Sequence, residues 1–197
     1  MASKPNATYG SGKLQYNVRA PKTARKLAAE ELFQYAVACL GRRAFAAEEL
    51  GAKLRLRAAR LADVEGTIAR LKEIGYLDDR RFAESFALNR AENDGFGRMR
   101  VLSDLRARRV PAKIAETAVS QVFEDKSESD QIDAFMERRM PSILKGGKVE
   151  DDRELARAWR RLRHAGFSSG GALDALKRIA AKPELIEEPV EEESSET

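Results

Sequence analysis

The sequence predicts an all-α protein built as an elongated array of three tandem three-helix repeats with disordered tails. Charged residues make up 35% of the 197-residue chain and aromatic residues only 7%, which is typical of exposed helices around small cores. Apolar residues recur at helical spacing, and this pattern returns twice along the chain. We expect a basic disordered arm over 1–26, repeats over 27–76, 77–124 and 125–182, and an acidic disordered tail over 183–197.

The first repeat begins with an amphipathic helix. Leu32, Ala36 and Cys39 fall at i, i+4 and i+7, so they share one face with Tyr35 and Leu40. Two further helices of this repeat carry apolar residues at the same kind of spacing: Leu50 and Leu54 on one, then Val64, Ile68 and Leu71 on the other.

The second and third repeats follow the same plan. In the second repeat, Phe82 and Phe86 share one helical face, and Pro111 occupies the first turn of the last helix. The third repeat has three predicted helices, marked by Ile132, Phe135, Met136 and Met140, by Leu155, Trp159 and Leu162, and by Ala172, Leu176 and Ile179.

The sequences of the repeats align when the residue numbers of one repeat are shifted by a constant. A shift of 51 residues lays Leu105 on Leu54, and a shift of 57 residues lays Leu162 on Leu105. Because the register also holds across the connecting turns, we infer true internal repetition. Small modules have small cores, so we expect the angles between them to be adjustable.

Several classes of protein are disfavoured. The single cysteine, Cys39, sits at an apolar helical position, so the chain has no disulfide framework and no thiolate zinc site. The longest apolar run, residues 35–40, is too short to cross a bilayer. His164 and Cys39 have no evident third catalytic partner, and Gly12-Lys13 is followed by Leu14 rather than the Ser or Thr of a phosphate-binding loop. We therefore expect a monomeric cytoplasmic protein that is not an enzyme and needs no cofactor or metal.

A short motif joins the first and second repeats. Gly75 is suited to closing the preceding helix in the left-handed conformation, and Asp78 is suited to capping the next helix. Leu77 and Phe82 occupy the positions of a hydrophobic staple. A metal site at Asp78 and Asp79 is the alternative, but adjacent side chains at a helix start point apart, so capping is favoured.

This motif resembles the RecX family, bacterial regulators of the recombinase RecA. The matching residues cover much of the chain: Gly75-Tyr76-Leu77-Asp78-Asp79, Arg81-Phe82-Ala83, Phe86, Arg90, Gly97, Leu105, Gly166-Phe167-Ser168, and Glu49-Leu50 with Lys53-Leu54. The resemblance implies a protein that binds the RecA filament on single-stranded DNA and inhibits its ATPase, strand-exchange and co-protease activities. Two positions depart from the family pattern, because Ala46 stands where a capping Ser is usual and Arg109 where Gly is usual.

Basic side chains concentrate on the middle helix of each repeat. Under the shifts given above, Arg55, Arg106 and Arg163 are equivalent, which predicts one continuous charged track. Few acids interrupt it and we expect aromatic side chains not to interleave with it, so contact with phosphates or an acidic protein surface is favoured over base stacking. The alternative for each arginine is a solvated face paired to nearby acids. We call these candidate residues the basic set: Lys53, Arg55, Arg57, Arg60, Arg98, Arg100, Arg106, Arg108, Arg109, Arg157, Arg160, Arg161 and Arg163.

A second class of function is open at this stage. Three-helix units are also found in helix-turn-helix domains, so the chain could be a helical DNA-binding module that contacts single- or double-stranded DNA independently of RecA. Binding to naked DNA without RecA would distinguish the two.

Overall fold

The computed structural model describes residues 25–186, which form ten α-helices and one short 3-10 helix. Two isolated β-bridges are the only β-pairing within these residues. None of the helices in this range is long and apolar enough to cross a membrane. The helices are α1 (Ala29–Leu40), α2 (Ala47–Arg55), α3 (Ala62–Glu73), α4 (Asp79–Glu92), α5 (Arg98–Ala107), α6 (Ala112–Phe123), α7 (Glu128–Arg139), α8 (Pro141–Lys145), α9 (Asp152–His164) and α10 (Ser169–Ile179).

Three separate apolar cores hold the helices in groups, which we call units one, two and three. Unit one packs α1–α3 around Leu32, Leu50 and Leu71, and unit two packs α4–α6 around residues that include Leu105. Unit three packs α7–α10 around residues that include Phe167. The predicted all-α helical repeat fold is therefore confirmed.

Unit three departs from the predicted plan of three helices. Its first helix ends at Arg139, and Met140 adopts a non-helical conformation that ends α7 and precedes α8. Pro141 then starts a short additional helix, since its fixed φ suits a first helical position. In unit two, Pro111 precedes the first turn of α6 and does not lie within it.

The described residues include the inner ends of the predicted arm and tail. Arg25 is ion-paired with Glu31, and the Lys26 ammonium donates to the carbonyl of Leu56, so both belong to unit one. At the other end, Pro183–Leu185 forms the 3-10 helix, and Ile186 packs against the core of unit three. The remainder of the predicted arm and tail lies outside the described residues.

Units two and three are joined by main-chain hydrogen bonds. The amides of Gly97 and Met99 at the start of α5 donate to the carbonyls of Ala165 and Gly166, at 2.8 and 3.1 Å. Gly166 has a φ of +90°, and a Cβ there would lie 2.2 Å from the amide nitrogen of Arg100. These bonds satisfy amides that a helix start leaves without partners, and they join units two and three.

Candidate partner-binding surface

The motif between units one and two forms the predicted helix boundary. Gly75 has a φ of +76°, which is the left-handed conformation that ends α3. The carboxylate of Asp78 accepts hydrogen bonds from the amides of Arg80 and Arg81 at 2.9 and 3.0 Å, and thereby caps α4. Leu77 and Phe82 lie in different cores, since Leu77 is buried in unit one and Phe82 packs on unit two. The motif therefore anchors both units.

The cap at Asp78 should make stability depend on pH. The hydrogen bond from the amide of Arg81, followed by that from Arg80, lowers the pKa of Asp78 below its ordinary value of 3.8. Because the pKa is lower in the folded state, the stabilisation is fully present above about pH 4 and is lost as the pH falls through the folded value. Asp78→Asn keeps a capping oxygen that does not titrate. We expect the Tm of the wild type to fall relative to that of Asp78→Asn as the pH is lowered below about 4; parallel Tm profiles would contradict this.

The neighbouring carboxylate, Asp79, caps a different helix. Its Oδ1 accepts a hydrogen bond of 2.7 Å from the amide of Ala47, in the first turn of α2. Ala46, the N-cap of α2, has no side chain able to make this bond. Asp79 supplies it from the next unit. The described residues contain no group of three potential metal ligands here or elsewhere.

Removing this long-range cap should destabilise the junction of units one and two. We expect Asp79→Ala to lower the free energy of unfolding by about 1–2 kcal/mol, because it leaves a partly buried amide without its partner. Chemical denaturation measures the effect. Glu73→Ala is the matched control, since Glu73 is an exposed acid of α3, and it should change stability by less than about 0.5 kcal/mol. Equal stability losses in the two variants would rule out the cap.

Two glutamates of α2 bring arginines of units one and two together. Glu48 accepts from Arg55 at 2.8 Å and lies 3.7 Å from Arg109. Glu49 lies 3.1 Å from Arg108. The hydrogen bonds between Arg55 and Glu48 lower the pKa of the carboxyl and raise that of the guanidinium. The first and second parts of the basic set therefore adjoin at the unit junction.

The second departure from the family pattern also lies at this junction. Arg109 has a φ of +61°, in the left-handed region where glycine is favoured and other residues are strained. Its guanidinium lies within ion-pair distance of Glu48, across the junction between the units. A glycine at position 109 would relieve the backbone strain and remove the ion pair.

The arginines of α5 and the one directly after it have two kinds of neighbour. The guanidinium carbon of Arg100 is 5.3 Å from the ring centroid of Phe96, in the loop before α5, and that of Arg108, which follows α5, is 5.8 Å from the ring centroid of Phe86 in α4. Aromatic rings therefore do lie beside the basic set, contrary to the expectation from the sequence. The remaining two, Arg98 and Arg106, bond to Ser120 and Glu116 of α6.

Acids also accompany the basic set more closely than the sequence indicated. At least six of its arginines are ion-paired with carboxylates that are one or two helical turns away or more distant in the sequence. These pairs lower the net positive charge of the faces on units one and two. They involve Arg55, Arg60, Arg100, Arg106, Arg108 and Arg109.

Other members of the basic set, in units one and three, contact an aromatic ring or main-chain carbonyls. Arg57 lies 5.2 Å from the ring centroid of Tyr35, and its buried Nε has no hydrogen-bond partner among the described residues. Arg161 donates to the carbonyl of Arg139 and Arg163 to that of Phe167, both at 2.7 Å. Of the three residues that are equivalent in the sequence, Arg55 and Arg106 are ion-paired with glutamates and Arg163 donates to the carbonyl of Phe167.

Three members of the basic set have exposed side chains that make no polar contact within the described residues. Lys53, Arg157 and Arg160 are exposed and have no hydrogen bond or ion pair within residues 25–186. Arg157 and Arg160 lie near His164, whose Nε2 is 3.1 Å from the guanidinium of Arg100. Through this contact, the basic residues of unit two adjoin those of unit three.

The chain is similar to known regulatory proteins. The RecX second three-helix domain matches residues 78–119. The regulatory protein RecX of Thermus thermophilus is 33% identical over 147 residues, which cover 75% of this chain and 91% of the relative. The regulatory protein RecX of Deinococcus radiodurans is 32% identical over 171 residues, which cover 86% of this chain and 78% of the relative.

A solved structure supports the same fold. The crystal structure of RecX from Lactobacillus salivarius superposes with a TM-score of 0.62 at 18% identity, and the match covers 80% of this chain and 97% of that one. The resemblance inferred from the sequence, which extends over most of the chain, is thus confirmed. The chain belongs to the RecX family of regulatory proteins.

Proposed function

We propose that this protein binds the RecA filament on single-stranded DNA and inhibits its ATPase, strand-exchange and co-protease activities, and so limits recombination and the SOS response. We expect it to act in the cytoplasm as a monomer. Membership of a family of regulatory proteins supports a regulatory role, and the resemblance described above supplies RecA as the partner.

The observation that carries the proposal is the position of α5 between the other two units. Its C-terminal end meets unit one through Arg108 and Glu49, and its N-terminal end meets unit three through Arg100 and His164. The basic residues of the three units therefore adjoin through α5. A surface that extends across several units is suited to a repetitive partner, because each unit can meet an equivalent site on a successive protomer.

The proposed mechanism follows from this arrangement. Successive units lie across successive RecA protomers, with the basic set toward the filament axis, where DNA phosphates and acidic side chains would attract it. Main-chain hydrogen bonds from Gly97 and Met99 to the carbonyls of Ala165 and Gly166 join units two and three. An array that bridges protomers would oppose the subunit motions coupled to ATP hydrolysis.

The test is the ATPase activity of RecA on single-stranded DNA with increasing amounts of this protein. We expect the rate to fall and to reach its minimum near stoichiometric amounts. An ATPase rate that is unchanged at stoichiometric excess would refute the proposal.

A DNA-binding module that acts without RecA is the second candidate. The free side chains of Arg157 and Arg160 beside Phe96 and Phe135 favour it, because cations next to aromatic rings suit phosphates and bases. Mobility shifts on naked single and double strands at several salt concentrations distinguish the candidates. Tight, salt-dependent binding without RecA supports the second, whereas binding only to RecA-coated DNA supports the first.

A further inference from the structure

A groove of about 440 Å³ opens where units two and three meet. Phe96 comes from unit two, and the other lining residues come from α7 and α9 or directly follow α9. Its apolar part consists of Phe96, Phe135 and Ala165. Its basic part consists of three arginines and a histidine, and no lining residue in the described part of the chain is acidic: Arg157, Arg160, Arg161 and His164.

The groove differs from the other basic faces because two of its arginines are not neutralised. On units one and two, arginines such as Arg55 and Arg106 already pair with glutamates of the same surface. Arg157 and Arg160 have no such pair within residues 25–186. A groove lined by both apolar residues and free cations fits a peptide that carries apolar residues and carboxylates.

We propose that the groove binds the C-terminal segment of the same chain, residues 187–197. This segment contains six glutamates and no basic residue. Pro189 and Val190 form an apolar pair between Glu188 and Glu191, which matches a groove lined by both apolar and basic residues.

The segment starts close enough to reach the groove. Ile186, the last described residue, packs against the core of unit three, and the groove residue Phe135 belongs to that same core. Eleven residues span at most about 36–40 Å when extended. A module of about 50 residues has a radius of gyration near 10 Å, so the segment is long enough to pass around unit three.

Binding of this segment would block the groove for any other polyanion. This regulatory consequence rests on the proposed function, because the ligand that the segment would exclude is the acidic partner bound by the basic set. The segment would act as an intramolecular competitor, and an acidic partner would have to displace it. The contact between segment and groove does not itself depend on the identity of that partner.

Energy transfer within the full chain tests the contact directly. Trp159 is the only tryptophan and lies in α9 between Arg157 and Arg160. Ser195→Cys adds a thiol for a dansyl acceptor, and the native Cys39 is 6% exposed, so labelling is confined to the tail. We expect strong transfer from Trp159 to the acceptor at low salt and its loss in a variant with Arg157→Glu and Arg160→Glu.

The matched control is a variant with Lys53→Glu and Lys113→Glu, which reverses the charge of two exposed side chains on the other units. It should retain the transfer, whereas Val190→Ser in the tail should weaken it. Circular dichroism confirms that each variant is folded. The proposal would be overturned if energy transfer persisted after the charges of Arg157 and Arg160 were reversed. It would also be overturned if both double variants lowered the transfer equally. The experiment contains neither RecA nor DNA, so its failure would leave the proposed function untouched.

Discussion

Gly166→Ala is expected to lower the free energy of unfolding by about 2–4 kcal/mol and to loosen unit three from unit two. The left-handed φ of +90° strains any residue with a Cβ, and that Cβ would lie 2.2 Å from the amide nitrogen of Arg100. Since this atom belongs to the backbone of α5, the conflict is relieved only by moving the helix. The hydrogen bonds from Gly97 and Met99 would then be lost. Denaturation measures the stability, and small-angle scattering should show a larger radius of gyration.

Gly170→Ala is the matched control for this substitution. Gly170 lies in α10, and a Cβ there would meet no atom within 4 Å. Alanine is the better helix former, so this variant should be more stable than the wild type by about 0.5–1 kcal/mol. The close packing at Gly166 would be contradicted if both variants had the same stability and the same radius of gyration.

Phe167→Ala should have a still larger effect, with a loss of about 3–5 kcal/mol. The ring is fully buried in the core of unit three and packs edge-on against Phe135, with centroids 5.5 Å apart. Its removal leaves a cavity beside the junction with α5, because Phe167 also lies against Gly97. The stability is measured by denaturation of the full chain.

Tyr76→Ala tests whether this loss comes from burial. Tyr76 is 57% exposed, so its removal should change stability by less than about 0.5 kcal/mol. A loss at Phe167 no larger than the loss at Tyr76 would show that unit three does not depend on this core.

The features that were predictable from the sequence are those that depend on near neighbours. Gly75 and Asp78 end one helix and begin the next through contacts within a few residues, and each does so as predicted. The additional helix at Pro141 could have been inferred from the preference of proline for a first helical position, but the apolar spacing of Met136 and Met140 indicated one continuous helix.

The features that were not predictable depend on residues far apart in the sequence. The cap on Ala47 comes from Asp79, which is 32 positions later, and Glu49 meets Arg108 across 59 positions. Composition and periodicity carry no information on such pairs. The sequence therefore located the basic residues but not the acids that neutralise them, nor the aromatic rings of Phe86 and Phe96 beside them.

The central claim is that one chain contacts several RecA protomers at once. Co-sedimentation of the labelled protein with RecA filaments assembled on single-stranded DNA measures this directly, because the bound ratio can be read at saturation. We predict saturation at fewer than one chain per RecA protomer. Saturation at one chain for each protomer, or no sedimentation beyond that seen without RecA, would contradict the claim.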